Sequence, residues 1–352
     1  MRVLTVVGNR PQFVKAAGVS RRLRELHDEQ LVHTGQHHDD DLSAVFFAEL
    51  DVPAPDHWLG ISGGANTSQL GRMLSGLGPL VEDLRPDAVL VYGDTNSTLA
   101  GALAGADRGI PVVHVEAGMR SFDRRMPEER NRVLTDQLSA LLLCSSALAV
   151  ENLGREGVPG RAEVVGDVMV DVALDVQPRA RRRLEPLRRL GVEPGAYVLA
   201  TAHRAGNVDD PAQLARLVEL LEAVGGPIVL PLHPRTRARL DAAGLAERVG
   251  RAVRVCGPLG YLDFTALLCN ARAVLTDSGG VQKEAYLAGV RCVTLREQTE
   301  WVETVEAGWN TLVGLDGDAA RRALAAPAPV GRPALYGDGR AGERVVAAIG
   351  GI

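Results

Sequence analysis

Val3-Leu4-Thr5-Val6-Val7 runs directly into Gly8-Asn9-Arg10-Pro11-Gln12-Phe13-Val14-Lys15, and this junction decides the fold. A β-branched run predicts a strand over residues 2–7, followed by a loop and the start of a helix. The same alternation of short strand-like runs and longer amphipathic stretches continues to the end of the chain. It predicts βαβ units and parallel sheets. Further strands are expected at residues 30–33, 88–92, 111–115, 140–144 and 162–165. A second series is expected at 197–201, 227–231, 253–256, 273–276 and 291–295. Between strands the period becomes helical: over residues 67–84, Leu70, Met73, Leu74, Leu77 and Leu80 recur in i, i+3, i+4 order.

At 352 residues the chain exceeds one ordinary core, so two domains are expected. The first spans 1–168 and is completed by a C-terminal helix over 339–352; the second spans 169–338. Between the two series lies an arginine-rich connector, residues 171–195, expected to be helical with loops around Pro178, Pro186 and Pro194. Two doubly wound halves imply ligand binding at the carboxyl ends of the strands, in a cleft between them.

Apolar residues make up 46% and charged residues 24%, a composition of globular proteins. A formal charge of −5 argues against a nucleic-acid partner, whose backbone demands basic surplus. No apolar run is long enough to span a bilayer, and the N-terminus does not read as a signal peptide, so a cytoplasmic location is expected. Cys144, Cys256, Cys269 and Cys292 lack CxxC spacing and histidine pairs, and read as buried apolar residues rather than metal ligands. Lys15 and Lys283 are the only lysines; every other basic residue is arginine. Both fall inside motifs that bear chemistry.

The first loop lacks the GxGxxG that lets a backbone touch a dinucleotide. It offers Arg10 and Lys15 instead, cations suited to phosphate oxygens. After the third strand comes Tyr92-Gly93-Asp94-Thr95-Asn96-Ser97-Thr98, and after the next His114-Val115-Glu116-Ala117-Gly118. Met126-Pro127-Glu128-Glu129-Arg130-Asn131-Arg132 then opens a helix with proline at its start. Asp94 and Thr95 also suit helix caps, and acids in a first turn also complement the helix dipole. Three carboxylates at one set of strand ends nevertheless point to acid–base chemistry.

In the second half, Thr201-Ala202-His203-Arg204-Ala205-Gly206-Asn207 places His203 at a strand end. His233 resembles it and also suits a packing role. Thr276-Asp277-Ser278-Gly279-Gly280-Val281-Gln282-Lys283-Glu284 joins a strand to a helix through bare Ser-Gly-Gly amides, which makes an anion site. Glu284, one turn on, is placed to hold ribose hydroxyls.

Taken in order, GNRPQFVK, TGQH, GDTNST, HVEAG, PEERNR, HR..N, TDSGG..KEA, TEWVE and YGDG resemble the non-hydrolysing UDP-N-acetylglucosamine 2-epimerases from the first strand to Tyr336-Gly337-Asp338-Gly339. The resemblance implies two Rossmann-like doubly wound domains facing each other across a cleft, as in GT-B glycosyltransferases, in a homodimer needing no cofactor. It puts catalytic roles on Asp94, Glu116, Glu128 and His203. It puts the UDP-sugar on Arg10, Lys15, Ser278, Gly279, Gly280 and Glu284. An allosteric UDP-GlcNAc site known in some members maps to Gln36, His37, Arg72 and His233, although His38 and Asp39 depart from the pattern after TGQH. A second departure is Gly206, where the family usually carries glutamate.

The implied reaction interconverts UDP-GlcNAc and UDP-ManNAc by eliminating UDP to 2-acetamidoglucal and adding it back. Alternatives are a hydrolysing 2-epimerase, a GT-B glycosyltransferase, an epimerase of a modified UDP-N-acetyl sugar, or a UDP-sugar sensor without turnover. The missing GxGxxG argues against an NAD-dependent epimerase, as does the absence of any tyrosine with lysine four residues later.

Overall fold

The computed structural model describes residues 1–36, 49–50, 52–327 and 329–352; the candidate His37 lies outside these residues. The chain divides into two compact units, Met1–Leu174 with Tyr336–Ile352, and Asp175–Leu335.

In the first unit the described strands are β1 (Arg2–Val7), β2 (Asp28–His33), β3 (His57–Trp58), β4 (Ala88–Tyr92), β5 (Val112–Ala117), β6 (Leu141–Cys144) and β7 (Arg161–Val164). They form one parallel sheet in the order β3-β2-β1-β4-β5-β6-β7. Strand order reverses between β1 and β4, so the loops leaving those two strands diverge and open a crevice. The inner strands read as continuous apolar runs because helices cover both sheet faces. On one face the helix Asn66–Leu84 buries Met73, Leu77 and Val81 against Leu4, Val6, Val89 and Val91. Each fully buried side chain of this size contributes roughly 1.5–3 kcal/mol.

The helix Ala341–Ile349 belongs to this unit too. Asp171 accepts from its first amides, Ala341 N at 3.0 Å and Gly342 N at 2.8 Å. Gly342 packs so closely that a Cβ there would lie 1.9 Å from the Gly18 carbonyl oxygen.

The second unit repeats the design with β8 (Val198–Thr201), β9 (Ile228–Pro231), β10 (Arg254–Cys256), β11 (Ala273–Thr276), β12 (Arg291–Thr294) and β13 (Asn310–Leu312). Their order is β10-β9-β8-β11-β12-β13, all parallel, with the reversal between β8 and β11. Two apolar clusters flank this sheet, one around Leu217, Leu221 and Leu230, the other around Leu199, Leu267 and Val274.

The doubly wound class expected from the sequence is therefore present twice. The edge strands β3 and β13 were not anticipated, being too short to display alternation. Among the described residues, no helix is long and apolar enough to cross a membrane.

Candidate functional site

The loops that leave β1, β4 and β5 are locked to one another by small and polar residues. A Cβ on Gly8 would sit 2.0 Å from Ser97 Oγ and 2.3 Å from Thr34 Oγ1, so only glycine permits this approach. The Asn9 side chain caps the helix Arg10–Ala17 by accepting from Gln12 N. Gln12 is buried and joins two loops: Gly8 N donates to its Oε1 at 2.8 Å, while its Nε2 donates to Tyr92 O and Thr98 Oγ1, both at 2.9 Å. Thr95 and Thr98 form a reciprocal capping box on the helix Asn96–Asp107.

Glu116 occupies the irregularity where the β5–β6 register shifts between Val115 and Ala117. Its φ is +70°, a left-handed conformation that costs a non-glycine residue on the order of 1–3 kcal/mol. The bulge re-aims the side chain, and its carboxylate forms an ion pair with Lys15 Nζ. A Cβ on Gly93 would lie 2.9 Å from that same Nζ, so the lysine also lies against the turn preceding Asp94. Lys15 was expected to face nucleotide phosphate; the structure places its amine on a candidate acid.

Asp94 is held by Arg132, whose Nε and Nη2 donate to Oδ2 at 3.0 and 2.7 Å, and Asn131 Nδ2 donates to the Asp94 carbonyl at 3.0 Å. Arg132 stands on the helix Pro127–Leu138, one turn after Glu128 and on the same face. Glu128 is exposed, whereas its neighbour Glu129 is buried. Glu129 accepts from Ser121 N at 2.9 Å, Phe122 N at 3.0 Å and Arg132 Nη1 at 2.8 Å. Burial pushes its pKa up, but these donors outweigh it and hold the carboxyl below the ordinary range. Two adjacent glutamates thus divide the work, one open and one building the loop.

Gln36 meets the same unit: Ser97 N and Oγ donate to its Oε1 at 3.0 and 2.6 Å. Arg72 instead donates to the carbonyls of Ser62 and Gly63 and is exposed. Arg10, at the start of the first helix, is partly exposed.

In the second unit Asp277 is fully buried just after β11 and shapes the loop after β8. It accepts from His203 N at 3.1 Å, Arg204 N at 3.0 Å and Asn207 Nδ2 at 3.1 Å. His203 is held half-exposed, its ring stacked on His233 with centroids 5.8 Å apart. His233 is exposed and caps the helix Pro234–Ala242, its Nδ1 accepting from Arg235 N at 3.2 Å.

Ser278 precedes the helix Gly279–Ala288 and makes no side-chain cap, leaving the first-turn amides of Gly279 and Gly280 available to an anion. A Cβ on Gly280 would find only Ser278 Oγ, at 4.0 Å. Beside this terminus Glu300 is gripped by Arg296 at 2.8 and 3.0 Å, with Arg204 Nη2 at 3.6 Å. Lys283 is buried with its ammonium 4.5 Å from the centre of the Trp301 ring. Glu284 keeps part of its surface exposed, yet burial of the carboxyl pushes its pKa up to about 7, against the opposing pull of Lys283 and a hydrogen bond from Tyr261.

Gly206 lies exposed in the short helix Ala205–Val208, and a Cβ there would meet nothing within 4 Å. Asp277, Arg132 and Glu300 stand within the motifs TDSGG, PEERNR and TEWVE, but no local pattern there signals the partners that they hold.

The protein-family model described as UDP-N-acetylglucosamine 2-epimerase matches residues 21–350. The chain is 47% identical over 357 residues to the UDP-2,3-diacetamido-2,3-dideoxy-D-glucuronate 2-epimerase of Pseudomonas aeruginosa, covering 98% of each. It is 39% identical over 359 residues to the UDP-N-acetylglucosamine 2-epimerase of Methanocaldococcus jannaschii, again covering 98% of each. The crystal structure of the M. jannaschii UDP-GlcNAc 2-epimerase in complex with UDP-GlcNAc and UDP matches with a TM-score of 0.92 at 38% identity, covering all of both chains. A Neisseria meningitidis UDP-GlcNAc 2-epimerase bound to UDP-GlcNAc matches with a TM-score of 0.88 at 27% identity, also over both whole chains.

Proposed function

Because this chain belongs to the UDP-N-acetylglucosamine 2-epimerase family, we propose that it inverts C2 of UDP-GlcNAc without releasing free sugar. The observation that carries this reading is the strained Glu116 bulge, which holds a carboxylate against Lys15 beside the Gly93–Asp94 turn.

No carbonyl acidifies the C2 proton of a 2-acetamidohexose. Elimination avoids that difficulty. A base takes the C2 proton, the C2–H electrons form the C1–C2 double bond, and the C1–O electrons leave with UDP. UDP then adds back to C1 as a second group delivers a proton to the opposite face of C2. Two differently placed acid–base groups are needed. We assign them to Glu116 and Glu128, with Asp94, clasped by Arg132, acting on the base or as the base itself. Positive charge builds at the anomeric carbon as UDP departs, and these carboxylates stabilise it.

In the second unit the Gly279 and Gly280 amides and His203 hold the diphosphate, and Glu284 takes the ribose hydroxyls. Lys15 acts on Glu116.

A second reading, UDP-2,3-diacetamido-2,3-dideoxy-D-glucuronate as substrate, is favoured by the 47% identical relative of that name and by Gly206. Proton NMR of the purified protein in D2O, with each sugar nucleotide and no added cofactor, tests both. The expected result is a C2-epimeric UDP-sugar labelled at C2. Free sugar as the main product, or no turnover of either compound, overturns the proposal.

A further inference from the structure

One buried chain of hydrogen bonds touches all three backbone elements that carry Asp94, Glu116 and Glu128. His114, on β5 and fully buried, uses both ring nitrogens: Nδ1 lies 2.7 Å from Asp136 Oδ1 and Nε2 lies 2.7 Å from Gly93 O. Asp136 is also fully buried, and its Oδ2 accepts from Gly118 N at 3.2 Å and Arg120 Nη1 at 2.7 Å. Arg120 is fixed in turn by Glu156, which accepts from its Nε at 2.8 Å and its Nη2 at 2.7 Å.

The bonding leaves little freedom. The Gly93 carbonyl oxygen can only accept, so Nε2 donates to it, while Nδ1 lies at hydrogen-bond distance from an Asp136 carboxylate oxygen. Gly93 (φ +64°) and Gly118 (φ +75°) take left-handed backbone without penalty, whereas at Glu116 (φ +70°) the surroundings must enforce it. His114 grips the carbonyl just before Asp94, and Asp136 grips the amide two residues after Glu116. Asp136 itself stands two turns beyond Glu128 on the same helix.

We propose that His114 and Asp136 are positioning residues that fix the relative placement of the three acid–base carboxylates, and so set the rate of proton transfer rather than nucleotide affinity. This inference rests on the epimerase reading above. Neither side chain reaches solvent or substrate; both act through the backbone they hold.

The test uses Asp136→Asn, which keeps the shape but replaces the carboxylate facing His114 Nδ1 with an amide, with His114→Gln as the second variant. Each is compared with the wild type for thermal unfolding, UDP affinity by calorimetry, kcat, KM and the rate of C2 deuterium incorporation. Displacement by about an ångström costs on the order of a hundredfold, so kcat and label uptake should fall about 10- to 100-fold while UDP affinity and KM stay within about threefold. Conservative replacement at Asp136 should lose less than His114→Gln, because the His114 contact with the Gly93 carbonyl survives.

A folded variant with kcat within about twofold of wild type overturns the inference, as does a parallel loss of kcat and UDP affinity. Failure of both variants to fold also overturns it, since the network would then act on stability alone. A wild-type protein that turns over neither sugar nucleotide contradicts the epimerase reading instead, so the two failures are separable.

Discussion

Lys15 reaches from the first helix to the carboxylate of Glu116 on the β5 bulge, and the two side chains are only 10% and 13% exposed. Breaking such a pair strands a poorly solvated charge, which costs on the order of 3 kcal/mol. Lys15→Met and Glu116→Gln should each lower stability by about that amount in urea unfolding. The double variant should recover part of the sum, with a coupling energy above about 0.5 kcal/mol, without recovering turnover. Additive losses would mean that the pair contributes nothing as a pair.

Glu284 should make nucleotide binding depend on pH. Its folded pKa of about 7 lies above the ordinary 4.5 because burial disfavours the charged form. Ribose hydroxyls donate best to the ionised carboxylate, so UDP-GlcNAc affinity should rise between about pH 6 and pH 8, and Glu284→Gln should flatten the profile. For stability the sign is opposite. Between 4.5 and about 7 the folded state binds more protons than the unfolded state, so the contribution of this group is fully present below 4.5 and lost as pH rises through about 7. An identical pH profile for wild type and variant refutes the ribose assignment.

Asp277 is fully buried and organises the loop after β8. Removing it leaves the His203 and Arg204 amides without their acceptor and the Asn207 amide group with only the Leu295 carbonyl. Asp277→Ala should therefore destabilise by on the order of 3 kcal/mol in chemical denaturation. It should also weaken UDP binding, because His203 and the loop bearing it lose their anchor. Unchanged UDP affinity in a stable Asp277→Ala protein would separate the loop from the nucleotide.

Much of this architecture is legible in the sequence, for a physical reason. Buried parallel strands are continuous β-branched runs, and Arg2–Val7, Ala88–Tyr92 and Ala273–Thr276 declare themselves. Edge strands as short as His57–Trp58 hold no period to read. The candidate site is signalled where glycines stand beside polar residues at strand ends, as in Gly93-Asp94 and Ser278-Gly279-Gly280. What was not legible is pairing across distance. Nothing local says that Lys15 will meet Glu116, that Arg132 will clasp Asp94, or that Asp136 will be buried under His114. These contacts follow from which loops the sheet order brings together, and Glu128 and Glu129 look alike until one of them is buried.

Gly206 offers a test of substrate choice. The space around its Cα is open, so Gly206→Glu should fold normally, with stability changed by less than about 0.5 kcal/mol. Adding a carboxylate on the loop that bears His203 should disfavour a uronate more than a neutral sugar. The ratio of kcat/KM for UDP-GlcNAc over UDP-2,3-diacetamido-2,3-dideoxy-D-glucuronate should therefore rise relative to wild type. A fall in that ratio contradicts a role for Gly206 in accepting acidic sugars.

The most direct measurement is the rate at which the C2 position of UDP-GlcNAc takes up deuterium from D2O in the wild type, Glu116→Gln and Glu128→Gln proteins. If carboxylates on the β5 bulge and the Pro127–Leu138 helix move the C2 proton, the wild type exchanges and each variant, folded and still binding UDP, nearly stops. Full exchange in both variants would contradict the assignment.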